Sequence, residues 1–88
     1  MNRKRRDEIQ RVSNKVDRLQ SMIEEIKEEV QYIKDAEEEA FENMPEDLQD
    51  GEGGQKMSEA ITNLEEAIST LEDFDGDSIL NSLTEAKN

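Results

Sequence analysis

Residues 9–33 read IQRVSNKVDRLQSMIEEIKEEVQYI, and the spacing of their apolar members decides the fold. Ile9, Val12, Val16, Leu19, Ile23, Ile26, Val30 and Ile33 follow one another at alternating steps of three and four. That is the heptad of a coiled-coil helix, with Ile9, Val16, Ile23 and Val30 at a and Val12, Leu19, Ile26 and Ile33 at d. The next a position is Glu37, and Ala40 resumes d. Glu24, Glu25, Lys27, Glu28, Glu29 and Lys34 fall on the other faces, as solvent positions should. No Gly or Pro interrupts the chain before Pro45. The pattern predicts a helix over 7–43, ending near Met44 because the residue before a proline is pushed out of the α region. Residues 1–6 read as a basic arm, since Arg3, Lys4, Arg5 and Arg6 sit badly beside the positive end of a helix, whereas Asp7 and Glu8 suit it.

Working outward, residues 44–54 read as a loop. Pro45–Leu48 can make one helical turn with Pro at N1, and Asp50-Gly51-Glu52-Gly53-Gly54 is a breaker. A second helix is expected over 55–73, with a wider stripe of Met57, Ala60, Ile61, Leu64, Ala67, Ile68, Leu71 and Phe74. Ala60 and Ala67 would allow close approach of a neighbouring helix. Asp73–Asp77 breaks the phase, and residues 78–87 read as a short third helix capped by Asp77 or Ser78. Tyr32, Phe41 and Phe74 read as packing residues. The fold class is therefore all-α: one domain over 1–88, a long helix–loop–helix hairpin with a short C-terminal helix, coiled-coil-like and assembling into a helical bundle. The second helix covers about Leu19–Phe41, which leaves Ile9–Val16 to residues 78–87 or to another chain. A homodimer or higher oligomer follows as the expectation, with Ile9, Val12, Val16, Leu19, Ile23 and Ile26 as its seam.

Composition narrows the function classes. Of 88 residues, 32% are hydrophobic and 40% charged, and Leu, Ile, Val and Phe number only 18. That is the border at which a chain struggles to build a core alone. The absence of Cys and His removes disulfides, thiol chemistry and imidazole catalysis, and leaves no zinc ligand set of the usual kind. No apolar run approaches the ~18 residues of a membrane span. Arg3–Arg6 is followed by Asp7-Glu8 rather than an apolar stretch, which reads as no secretory leader and a cytoplasmic location. Carboxylates are abundant, but none has an apolar cleft to raise its pKa, so no enzyme activity and no cofactor are expected.

The charge is polarised. Residues 1–20 carry seven Lys/Arg against three acids, and residues 21–88 carry four against 21. This layout disfavours DNA or RNA as a partner and suits self-association or a basic protein surface. The densest acidic stretch is Glu37, Glu38, Glu39, Glu42, Glu46, Asp47, Asp50 and Glu52, which can imitate a row of phosphates for a basic groove; an ordinary solvated surface is the plainer alternative. Asp73, Asp75 and Asp77 alternate like a calcium loop, yet the sixth and twelfth positions hold Ser78 and Thr84 where Gly and Glu belong.

Ala40-Phe41-Glu42-Asn43-Met44-Pro45-Glu46-Asp47-Leu48-Gln49, followed by Met57, Ala60-Ile61, Leu64-Glu65 and Ala67-Ile68, resembles a group of small acidic helical-hairpin proteins encoded by phages and prophages of Gram-positive bacteria. The basic start at Met1–Arg6 is similar too. The group departs from this chain at Gly51–Gly54, where its members are less Gly-rich, and at Asp73–Asp77, where they continue as helix. The resemblance brings no established activity. It implies a host-cell cytoplasmic location and a non-enzymatic inhibitor or modulator of a host defence or DNA-processing protein with a basic surface, with a scaffolding coiled coil as the alternative.

Overall fold

The computed structural model describes all 88 residues. The chain is all-α and has no strand: α1 spans Arg3–Glu42, α2 Glu46–Gln49, α3 Glu52–Glu72 and α4 Gly76–Lys87. The unbroken spacing from Ile9 to Ile33 is realised as a single helix of 40 residues, about 60 Å at 1.5 Å per residue.

Residues 3–6 are the first turn of α1 rather than a free arm. Asn2 caps that turn: the Arg5 backbone N–H donates to Asn2 Oδ1 at 2.9 Å, and the Arg6 N–H donates to the Asn2 carbonyl at 3.1 Å. An Asn cap satisfies an otherwise orphaned donor, and Arg and Lys are good helix formers, so together they outweigh the dipole penalty.

α1 ends at Glu42, and the turn that follows closes its end. Pro45 stands before the single turn of α2 as its N-cap rather than inside it. Gln49 on α2 reaches back, its Nε2 donating to the carbonyls of Phe41 at 2.9 Å and Met44 at 3.1 Å. The Phe41 carbonyl, in the last turn of α1, also accepts from the Met44 N–H at 3.1 Å, so Gln49 adds a second bond there and ties the turn at Met44 to the helix end.

α3 starts at Glu52, three residues earlier than the glycines suggest, with Gly51 as its N-cap. No residue of the chain has a positive φ, so the run of glycines is not a left-handed turn. Gly54 is needed for close approach, because a Cβ there would fall on the backbone of Gln49, whereas a Cβ at Gly53 would meet nothing. α4 likewise starts early, at Gly76, because Asp75 supplies its cap in place of Asp77 or Ser78: the Ser78 N–H donates to Asp75 Oδ1 at 2.9 Å.

The chain divides into two compact units. One comprises Met1–Glu25 and Phe74–Asn88, the other Ile26–Asp73. In the second, Met57, Ala60, Ile61, Leu64 and Leu71 of α3 are half-buried and Ile68 is buried, while Ala67 faces solvent. Ala67 is thus not a site of helix approach. Lys34 on α1 bridges Glu38 at 3.3 Å and Glu65 of α3 at 3.6 Å. In the first unit, α4 lies against α1 on the side of Ile9, Ser13 and Val16 and leaves Val12 exposed, so that stretch is covered only in part within the chain. Arg6 Nε donates to the Lys87 carbonyl at 3.1 Å, Lys87 Nζ donates to Gln10 Oε1 at 2.7 Å, and Gln20 Nε2 donates to Asp77 Oδ1 at 3.2 Å. Ser13 is buried there, with Ile9, Val16, Leu80 and Leu83 half-buried.

Candidate functional site

The apolar positions of α1 fall into two rows by exposure. Ile9, Val16, Ile23 and Val30, at a, are half-buried, and they share the covered side with e positions: Ser13, Gln20, Lys27, Lys34 and Phe41. Long polar side chains serve there because their stems pack while their heads reach water or a partner. The d positions are left out. Val12 is 48% exposed, Leu19 43%, Ile26 37% and Ile33 53%, and Met22 beside them is 56% exposed. The expected seam is therefore split within one chain: Ile9, Val16 and Ile23 are turned inward, and Val12, Leu19 and Ile26 face outward. Tyr32 is 76% exposed and packs in no core, unlike Phe41 and Phe74, which are half-buried.

The scale of this exposure matters because so little else is buried. Ile68 is the one buried apolar residue, and no side chain is fully enclosed. Isolated apolar residues on a surface are normal, but a contiguous row along a helix marks an interaction face.

Among the acidic residues, Glu39, Glu42, Glu46, Asp47, Asp50 and Glu52 are exposed, whereas Glu37 and Glu38 are half-buried. Glu38 is also bound to Lys34, so it is not an idle surface carboxylate. The Lys34 ammonium is held above its ordinary pKa of 10.5, first by the hydrogen bond from Lys34 to Glu38 and then by attraction to Glu38 and Glu65, against a desolvation that pulls the other way. No group of three or more carboxylates converges to hold a metal ion. In the Asp73–Asp77 segment, Asp75 is occupied by the α4 cap and Asp77 by Gln20.

A groove of about 310 Å³ runs between α1 and α3, lined by Lys27, Glu28, Gln31, Tyr32, Asp35, Ile68 and Glu72. Its charged groups line an apolar trough without converging on a point where a reacting atom could sit. No helix is long and apolar enough to cross a membrane.

No family model, curated protein or solved structure matches this chain. The likeness to phage and prophage proteins therefore rests on the quoted residues alone.

The signal for the outward row was present in the sequence but ambiguous. A three-four spacing identifies both a and d, and only the neighbours decide which of them pairs inside the chain. Ser13 and Gln20, whose side chains pack against α4 or bond to it, were the residues that could have decided it.

Proposed function

We propose that this chain is a non-enzymatic protein-interaction module that engages a helical partner through the outward row of α1. The observation that carries this reading is the exposure of Val12, Leu19, Met22, Ile26 and Ile33 along a helix whose other apolar row is already covered. An amphipathic partner helix laid on this row would remove it from water, which is helix-in-groove recognition. Leu19→Glu together with Ile26→Glu tests the reading. Both positions are outside the packed side, so helicity by circular dichroism should persist while protein partners, including further copies of the chain, are lost in gel filtration and affinity capture. Retention of the same partners by the double variant would overturn it.

A second reading is favoured by the exposed carboxylates from Glu39 to Glu52. On it, the chain acts as a phage-encoded inhibitor that presents a nucleic-acid-like surface to a basic host protein. Changing Glu39, Glu42 and Glu46 to Gln and Asp47 to Asn should then abolish binding, and binding should weaken steeply with salt as the Debye length falls below ~10 Å. Partners that survive both treatments but not Leu19→Glu with Ile26→Glu would select the apolar row.

A further inference from the structure

We infer that the partner of the outward row is a second copy of the chain, and that the two α1 helices pair antiparallel about a two-fold axis near Ser21. The inference rests on the reading of the apolar row as an interaction face and adds the occupant and its direction.

The flank of the row carries the argument. Lys4, Arg11, Arg18, Glu25, Tyr32 and Glu39 recur every seven residues at c, next to the g positions that border the d row, and all are exposed. None of the charged members forms an ion pair within the chain. The first three are basic, and the last three are two acids and an aromatic ring. When the row meets its own copy antiparallel, Lys4 of one copy stands opposite Glu39 of the other, Arg11 opposite Tyr32, and Arg18 opposite Glu25. Each contact is then an ion pair or a cation–π pair, made twice by symmetry. Parallel pairing would set the basic turns of α1 side by side and the acidic turns likewise, which gathers like charges. Nearer the centre, Lys15 of one copy approaches Glu29 of the other, and Met22 packs on Leu19.

Because the chain has no cysteine, Ser21→Cys and Asp7→Cys each create a single spin-label site, at exposed positions on the face turned away from the row. Intermolecular distances between labels on the full chain decide the arrangement. In the antiparallel pair the Ser21 labels lie level with the axis and are separated only by the width of the pair. The Asp7 labels are separated along it by about 29 residues, on the order of 43 Å. Short distances at both sites would establish parallel pairing and overturn the direction while leaving the apolar row a binding face. No intermolecular coupling at either site would overturn self-pairing, and the fate of other partners with Leu19→Glu and Ile26→Glu would then judge the row separately. A charge swap gives the second measurement. Arg18→Glu should weaken dimerisation on the order of tenfold at low salt, and adding Glu25→Arg should restore it. A double variant no tighter than the single one would overturn the register.

Discussion

The two units of the chain are held together by different chemistry. In Ile26–Asp73, the helices meet over an apolar stripe centred on Ile68, their connection is short, and Gln49 closes the end of α1. In Met1–Glu25 with Phe74–Asn88, Ile9, Val16, Leu80 and Leu83 are only half-buried, and the hydrogen bonds between α1 and α4 are exposed: Arg6 to the Lys87 carbonyl, Lys87 to Gln10, and Gln20 to Asp77. Apolar burial scales with area and holds in any salt, whereas exposed hydrogen bonds exchange almost evenly with water. The comparison teaches that one unit should be the more stable part of the fold and that the other is held within itself by weaker ties.

The hardest blow to this comparison comes from the core of the stable unit. Ile68→Ala should cost about 2–4 kcal/mol in chemical denaturation, close to the whole stability of a domain this small. A loss below ~1 kcal/mol would show that the stripe of α3 is not what holds the hairpin.

The paired glycines sharpen it next. Gly54→Ala should destabilise by about 1–3 kcal/mol, because its methyl group collides with the Gln49 backbone and neither can yield cheaply. Gly53→Ala, one residue away with open space around it, should instead stabilise by about 0.5–1 kcal/mol through helix propensity. Thermal unfolding of the two variants side by side reads the sign directly. Gln49→Ala should fall between them, at about 1 kcal/mol for the two hydrogen bonds lost to the carbonyls of Phe41 and Met44.

The other unit should respond weakly to the same treatment. Arg6→Ala or Lys87→Met should change global stability by no more than about 0.5 kcal/mol. The same variants should speed amide hydrogen exchange throughout α4 while leaving α3 unchanged. Equal protection of the two helices in the wild-type chain would erase the distinction.

The smallest effect is the titration of Lys34. Its pKa is raised in the folded chain above the ordinary 10.5, so the folded state holds the proton more tightly. The stability this contributes is present below 10.5 and is lost as pH climbs through the folded value. Denaturation series above pH 10.5 should show the decline, and Lys34→Met should flatten it.

Much of the fold was legible in the residues, and the misses share a cause. The three-four spacing from Ile9 to Ile33 predicts α1, and the stripe from Met57 to Phe74 predicts α3, because helical periodicity is a local property. The helix starts were misplaced where a cap or a close approach outweighed composition. Asn2 overrode the basic run at Arg3–Arg6, Asp75 displaced Asp77 and Ser78, and Gly54 marked a contact with Gln49 rather than a break. The candidate surface was legible as a set of apolar residues but not as a face. Which of the a and d rows turns inward depends on α3 and α4, whose placement no spacing within α1 encodes. The acidic stretch was legible as charge alone, and the bond between Lys34 and Glu38 shows that part of it serves the fold.

The Gln49 clasp also has a consequence for the order of folding. Its bonds to Met44 and Phe41 close loops of five and eight residues, whereas the ties of Lys87 to Gln10 and Arg6 close loops of 77 and 81. Short loops form within tens of nanoseconds and lose little chain entropy, while long ones wait for the segments between them to become ordered. The corner at Pro45–Gly54 should therefore act as the nucleus from which α1 and α3 zip together, with α4 settling last.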